Sequence, residues 1–360
     1  MAEVEHGLMT GFPGFIGRRL ARKLLEESDD ARLTVVVEKR MQPAAAELAE
    51  PWGDRLEVVV GDIGERRLGL GDDDWDRLTG SVDTVFHLAA IYDLAVPLAL
   101  AQRVNVDGTG NVIDFCRAAS GLRRHVYVST AYVAGRRRGT VYEHELVLGQ
   151  DFKNHYESTK FQAEVWVRES MADVPTTILR PAIVVGDSKT GETEKFDGPY
   201  YLLRAISQAA ARGQAPMQFG RSDAPFNVVP VDYVVDGMAA AATGEDMAGE
   251  TLHLVDPEPL SAHDLLETLS QEYAGRATRG RLPAWMVSNA LRLTTIRKLF
   301  SDTPRESIAY LNHPVTFDTR RAVELLEPHG LHPPVFPDYA AAMVSFFKEH
   351  EDDPAYMPKH

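Results

Sequence analysis

The chain has 360 residues, 44% hydrophobic and 25% charged, which is the composition of a folded globular protein rather than a disordered or fibrous one. A net charge of −15 and a pI of about 5.3 exclude a basic nucleic-acid or anionic-membrane surface. One cysteine, Cys116, excludes a disulfide framework and any multi-cysteine metal site.

The N-terminus MAEVEHGLM carries acidic residues and no long apolar run, so it does not read as a signal peptide. No window reaches the 18 or so apolar residues of a membrane helix. A soluble, cytoplasmic protein is the expectation. Short β-branched runs then alternate with helical patterns. A first strand ends in GLMTG and is followed by LTVVV (33–37), LEVVVGD (56–62), TVFHLAA (84–90), HVYVST (125–130) and TTILRP (176–181). Between them, Ile16, Leu20 and Leu24, and later Val112, Phe115 and Ala119, fall at helical spacing. Val- and Ile-rich strands without polar alternation are buried on both faces. The alternation predicts an α/β fold, a doubly wound parallel sheet with helices on both sides.

After Pro181 the pattern loosens. GDSKTGETEKFDGPYY reads as a loop opening a helix. NVVPV (227–231) leads into the small-residue helix VVDGMAAAA, and TLHLVD (251–256) reads as a last sheet strand. Ser261 is placed to cap a helix from His263 to Tyr273. The expected division is a nucleotide lobe of 1–185 plus 226–257, a smaller, mainly helical substrate lobe of 186–225 plus 258–350, and a flexible tail of 351–360.

TGFPGFIG (10–17) places Gly11, Gly14 and Gly17 between a strand and a helix. A tight turn there needs glycine for backbone reasons alone. At a helix N-terminus it also lets backbone N–H groups approach a pyrophosphate. Phe12, Phe15 and Ile16 belong to the same bed. The second cofactor signal falls about 20 residues further on, at a strand end. Glu38 stands there and favours NAD through the ribose hydroxyls. Lys39 and Arg40 follow at once and suit the 2′-phosphate of NADP, so these residues leave NAD against NADP open. In KNHYESTKFQAE (153–164), Tyr156 and Lys160 share a helix face. By itself that spacing describes a half-buried ring beside a solvated lysine as well as a reaction centre.

Context decides. The glycine turn, Asp62, HLAA (87–90), Asn105 in NVDGT, STAYVAG (129–135), YESTK and LRP occur in this order. Over residues 6–257 the chain resembles the extended short-chain dehydrogenase/reductase family. YVSTAYVAG and GDSKTG are most similar to the fatty acyl-CoA reductase and thioester reductase branch. The resemblance implies a Rossmann fold and an NAD(P)-dependent oxidoreductase. It implies that Asp62 and Ile63 flank the adenine, that Ala89 and Ala90 line the cofactor, that Asn105 lies near the nicotinamide-side ribose and that Pro181 sits against the nicotinamide. It implies Thr130 as the active-site hydroxyl, with Ser129 beside it, and Tyr156 and Lys160 as the catalytic pair. A homodimer through two sheet-lobe helices is a further implication. Two positions depart from the pattern. Pro13 replaces a small residue in the turn, and Glu38 stands where the acyl reductase branch has a basic residue.

The trio makes chemical sense. Carbonyl reduction needs a proton at oxygen, and a free tyrosine, with a pKa of about 10, gives one up reluctantly. A nearby Lys160 ammonium is expected to lower that value and to hold the ribose hydroxyls. Thr130 would hydrogen-bond the carbonyl oxygen, and Tyr156 would act as general acid. The expected substrate is a lipophilic carbonyl or acyl thioester. A 3-hydroxysteroid-type dehydrogenase, a nucleotide-sugar epimerase or dehydratase, and a non-catalytic NAD(P) sensor are the alternatives. Other residues read as structural. His87 and His125 lie on buried strands as satisfied core histidines, without metal-ligand spacing. Arg136, Arg137 and Arg138 read as a solvated loop, or as a grip on a phosphate-bearing substrate tail. Tyr200, Tyr201, Leu202 and Leu203 read as core in the place where a lipophilic wall would be built. AWMVSNALRLTTIRKLF (284–300) reads as an amphipathic packing helix.

Overall fold

In the computed structural model, which describes residues 4–92, 96–219, 223–282 and 310–357, the alternating segments pair into one parallel sheet. Its strands are β1 (His6–Thr10), β2 (Arg32–Val37), β3 (Leu56–Val60), β4 (Thr84–His87), β5 (Arg124–Val128), β6 (Thr176–Pro181) and β7 (Thr251–Leu254). The order is β7-β6-β5-β4-β1-β2-β3, every pair parallel. The order reverses between β1 and β4, so a crevice opens beyond their C-terminal ends.

Burial on both faces explains the absence of polar alternation. Leu8, Val36 and Val85 enter the core on one face; Met9, Val35 and Phe86 enter the core on the other. At the edge strand β3 the pattern loosens, and Glu57 and Val60 are exposed. The first face packs on α3 (Asp72–Ser81) and α4 (Gly108–Ala118) through Leu78, Val112 and Phe115. The second packs on α1 (Phe15–Glu27) and the small-residue helix Val231–Thr243 through Leu20, Leu24, Val234 and Met238. The long helix His155–Ser170 lies over β5 and β6, with Ala163 and Val167 against Tyr127 and Ile178. Its start is fixed by Asn154, whose Oδ1 accepts the Glu157 N–H at 2.9 Å. For convenience Gln42–Ala49 is α2, His155–Ser170 is α5, Tyr200–Ala211 is α6, Val231–Thr243 is α7, Ala262–Ala274 is α8, Arg320–Leu326 is α9 and Phe336–His350 is α10.

Short strands lie outside the main sheet. The strand expected in NVVPV is Val228–Pro230, and it pairs in parallel with Ile183–Val185 beyond the end of β6. The mainly helical C-terminal third also contributes short strands: Val315–Phe317 pairs with Gly139–Val141, and Arg281–Leu282 with Gln218–Phe219. Residues 284–300 lie outside the described residues. Ser261 does cap α8, its hydroxyl accepting the Asp264 N–H at 3.1 Å. Among the described residues no helix is long and apolar enough to cross a membrane.

Helices α6, α8 and α10 pack together around aromatic rings. Phe196 lies 5.2 Å from Tyr200 and 4.9 Å from Phe347, and Phe347 meets Tyr273 at 6.2 Å between centroids. Phe347 is fully buried. Phe347→Ala removes the shared partner of these rings and is expected to destabilise the protein by about 3–5 kcal/mol in urea unfolding.

Candidate active site

The glycine turn is built for close approach. Gly11 has φ +92°, and its carbonyl accepts the Gly14 N–H at 3.0 Å. A Cβ on Gly11 would lie 2.9 Å from the Ala89 nitrogen; on Gly14 or Gly17 it would lie 2.9 or 2.6 Å from the Gly11 oxygen. All three collisions are with backbone, so nothing larger than glycine fits without displacing it. The Phe12–Pro13 peptide is cis. Helix α1 begins at Phe15 with no side-chain cap and no acidic residue in its first turn. Its first N–H groups and positive dipole end suit the pyrophosphate of a dinucleotide.

Four strand ends surround that turn. After β2, Glu38 is ion-paired with Arg40 at 2.7 Å, both at the surface. After β3, Asp62 accepts the Gly64 N–H at 2.8 Å and Arg103 at 2.7 Å, and Ile63 is buried against Gly108. After β4, which stops at His87, the Ala89 N–H donates to the Thr10 hydroxyl at 3.2 Å, tying the Ala89–Ala90 segment to β1. A single π-helical turn, Gln102–Asp107, presents Asn105. Its Oδ1 accepts the Ile91 N–H at 2.8 Å, and its Nδ2 donates to the Ile91 carbonyl at 3.1 Å and to Thr159 at 3.0 Å. Asn105 therefore clamps the loop after β4 to helix α5, and its amide is fully occupied in doing so.

At the end of β5 the three reaction-centre candidates converge. The Thr130 hydroxyl lies close enough to the Tyr156 phenol to act on its proton affinity and accepts the Tyr132 N–H at 3.3 Å. It also faces the Pro181 carbonyl at 3.5 Å. Lys160, one helical turn beyond Tyr156, donates to the Val128 carbonyl at 2.7 Å, with its ammonium 4.4 Å from the Tyr127 ring centre.

The electrostatics correct one expectation. Burial pushes Tyr156 up to about 12, against the opposing influence of the Thr130 hydroxyl. Lys160 does not lower it, because burial pushes Lys160 itself down to about 7 and so removes much of its charge in the neutral range. Tyr156 is thus held in its acid form throughout the neutral range. His87 is satisfied on both nitrogens, by Thr10 at 2.7 Å and Thr109 at 3.0 Å. His125 departs from its expectation: Nδ1 meets Thr176 at 3.1 Å, but Nε2 is buried without a partner. Burial holds both rings neutral. Cys116 is buried, with its thiol pushed far up. Arg137 pairs with Glu145 at 2.6 Å, while Arg136 and Arg138 are exposed. Tyr200, Tyr201, Leu202 and Leu203 are core residues.

Sequence reading passed over the groups beneath this site. Glu157, next to Tyr156, is fully buried and takes Lys153 at 3.0 Å and the Tyr310 hydroxyl at 2.9 Å. Glu164 is fully buried against Arg180. The i, i+4 spacing of Lys153 to Glu157 and of Lys160 to Glu164 was the available signal.

A lysine with a folded-state pKa near 7, below its ordinary 10.5, binds fewer protons folded than unfolded between those values. Stability therefore rises with pH across that window, and below about pH 7 the cost of the buried ammonium is full. Lys160→Met is expected to raise the thermal midpoint of the cofactor-free protein by about 5 °C at pH 6 and by little above pH 10.5, in calorimetry.

Residues 9–238 match an NAD-binding family model described as male sterility protein. Carboxylic acid reductase from Mycobacterium marinum is 26% identical over 71% of this chain and 24% of its own length. Fatty acyl-CoA reductase wat from Drosophila melanogaster is 26% identical over 65% of this chain and 53% of its own length. A linear gramicidin synthase polypeptide from Brevibacillus parabrevis is 25% identical over 89% of this chain, which spans 7% of that protein. This chain thus spans from 7% to about half of the length of these relatives. The same fold occurs in the terminal R domain from the myxalamid PKS-NRPS biosynthetic pathway (TM-score 0.81, 22% identity, 99% and 93% of the two chains). It occurs also in UDP-glucuronic acid 4-epimerase from Bacillus cereus in complex with NAD (TM-score 0.67, 19% identity, 98% and 99%). The family match covers well over half of the chain, including the glycine turn, strands β2 to β6 and the Tyr156–Lys160 helix, so the chain belongs to the male sterility protein family, an NAD(P)-binding branch of the extended short-chain dehydrogenases/reductases.

Proposed function

We propose that the chain reduces an acyl thioester or a related lipophilic carbonyl with NAD(P)H, by direct hydride transfer. The observation that carries this reading is the placement of Thr130 at the end of β5, facing the Pro181 carbonyl, with Lys160 bonded to the Val128 carbonyl on the same strand end and a Tyr156 phenol held in its acid form one helical turn before it. The dihydronicotinamide supplies the hydride. Gly11, Phe12, Gly14, Phe15 and Ile16 form the bed for its pyrophosphate. Asp62 and Ile63 lie where the adenine belongs, and Ala89, Ala90 and Pro181 line the path toward the nicotinamide. Asn105 secures that path rather than offering a free amide. Thr130 and Tyr156 donate to the substrate oxygen as negative charge grows on it, and Tyr156 releases its proton there. Lys160, which keeps N–H donors beyond the one given to Val128, would hold the ribose hydroxyls of a bound cofactor. The lobe of 186–225 plus 258–350 is assigned to the substrate. The carboxylic acid reductase and fatty acyl-CoA reductase relatives support the substrate class by name.

The test follows NADH and NADPH oxidation against a long-chain acyl-CoA, a fatty aldehyde, a 3-ketosteroid and a UDP-sugar. Consumption with acyl-CoA or aldehyde is expected, and Tyr156→Phe is expected to lose at least about 100-fold in turnover. Unchanged turnover in Tyr156→Phe would sink the proton-donor role. Silence across the panel with cofactor still bound would favour an epimerase, whose net reaction leaves the cofactor unchanged. The same panel addresses the adenosine end. Glu38→Ala releases Arg40 from its ion pair and is expected to shift the NADPH-to-NADH preference toward NADPH by roughly tenfold in kcat/KM.

A further inference from the structure

Thr130, Lys160 and Pro181 reach the site on three separate elements, and one buried carboxylate touches the chain beside them. Glu164 Oε2 accepts the hydroxyl of Ser129, the residue before Thr130, at 2.6 Å. Glu164 Oε1 accepts Nη2 of Arg180, the residue before Pro181, at 2.6 Å, and both oxygens accept Arg180 Nε at 3.1 Å. Glu164 itself stands one turn along α5 from Lys160. Neither Glu164 nor Arg180 exposes any side-chain surface (0% each). Arg168 adds a bond to Oε1 at 3.2 Å from the solvent side. The remaining Arg180 donors are anchored on the Glu143 carbonyl at 3.3 Å, the Glu145 carbonyl at 2.8 Å and His253 Nε2 at 3.2 Å.

Building on the proposed reductase chemistry, we infer that Glu164 is the positioning residue of this site, a single carboxylate that sets the spacing of Thr130, Lys160 and Pro181. It touches neither substrate nor cofactor. A fully hydrogen-bonded buried carboxylate has one low-energy placement, and so do the two strand ends bonded to it. It has an electrostatic role as well. Lys160 faces Glu164 along its own helix, His87 from β4 and the Tyr127 ring from β5. His87 is held neutral and Tyr127 protonated, so among these groups Glu164 alone is an anion that favours the Lys160 ammonium.

Ser129→Ala removes one bond to the carboxylate and no buried charge. It is expected to lower kcat on the order of tenfold while the KM for the nicotinamide cofactor and the thermal midpoint stay near wild type. Glu164→Gln keeps the shape and removes the anion. In 15N NMR of the lysine side chains, with the Lys160 signal assigned by its loss in Lys160→Met, the Lys160 titration is expected to move down by about one pH unit. The alkaline loss of activity should move with it, and Glu164→Asp should restore most of the shift. A folded Glu164→Gln protein whose Lys160 titrates as in wild type overturns the inference. Should the stranded Arg180 prevent that variant from folding, a wild-type kcat in Ser129→Ala overturns it instead. The NMR titration needs no turnover, so a failure of Tyr156 as proton donor leaves this test standing and separately readable.

Discussion

Holding a lysine in the interior is the constraint around which the site is organised. An ammonium loses its hydration there, and the loss shows as the fall of Lys160 to about 7. Three features of the neighbourhood offset that loss. The Val128 carbonyl accepts its proton at 2.7 Å, the Tyr127 ring faces it at 4.4 Å, and Glu164 lies one turn away. Glu164 is itself buried and is kept ionised by Arg180, which is in turn pinned by backbone carbonyls from 143 and 145. One buried cation thus calls for a chain of partners two strands deep. A protein selected for stability alone has no reason to build it, and well-packed apolar residues would serve the core better. The arrangement makes sense as a stability loss tolerated for chemistry at the end of β5.

A second polar chain joins the glycine turn to the same helix. The Thr10 hydroxyl accepts the Ala89 N–H, so its own proton goes to His87 Nδ1 at 2.7 Å. That assigns the His87 proton to Nε2, which donates to Thr109 at 3.0 Å, and Thr109 donates to the Asn105 carbonyl at 2.7 Å. Asn105 then bonds Thr159, whose hydroxyl donates back to the carbonyls of His155 and Tyr156. From Thr10 to Thr109 each proton has one acceptor, and the single Thr159 proton is shared between two carbonyls. A neutral His87 is required, and burial keeps it neutral. The strand leading into the glycine turn and the backbone of Tyr156 are therefore parts of one hydrogen-bonded body.

The parallel sheet was legible because both of its faces are buried. Uninterrupted Val, Leu and Thr runs are the imprint of that burial, and glycine at 11, 14 and 17 is the imprint of backbone contacts near 2.9 Å. Tyr156 and Lys160 were picked out by spacing and Thr130 by the family resemblance; the structure sets Thr130 and the Lys160 ammonium at the end of β5, and their roles remain a proposal. What was not legible depends on contacts distant in sequence. Glu157 meets Tyr310 across 153 residues, and Glu143 caps the start of α9 through the Arg321 and Ala322 N–H groups. No local pattern marks a carboxylate for such a partner. The pairing of 228–230 with 183–185 was missed for a related reason: a short strand carries no sign of which neighbour it will take. The direction of the Tyr156 shift was misjudged because proximity of a lysine was weighed, and the loss of water around both groups was not.

The aromatic residues of the smaller lobe constrain where a lipophilic substrate can lie. Phe196, Tyr200, Phe347 and Tyr356 stack on one another, so their apolar surface is spent on packing. Tyr200 and Leu203 are buried in the same core and offer no wall to a ligand. Large apolar side chains left in contact with solvent occur instead on the segment that follows Ile91, at Tyr92, Leu98 and Leu100. Ile91 is the residue that Asn105 grips by both backbone groups. The π-helical turn carrying Asn105 continues the helix that holds Leu98 and Leu100. The apolar surface beside the cofactor path is thus anchored to the same polar chain that places Tyr156. A surface of this kind suits a lipophilic chain better than a sugar diphosphate, with the Lys195 ammonium 5.7 Å from the Tyr92 ring as a nearby cation. It is this surface, rather than the shared fold, that favours the proposed reductase reading over the epimerase.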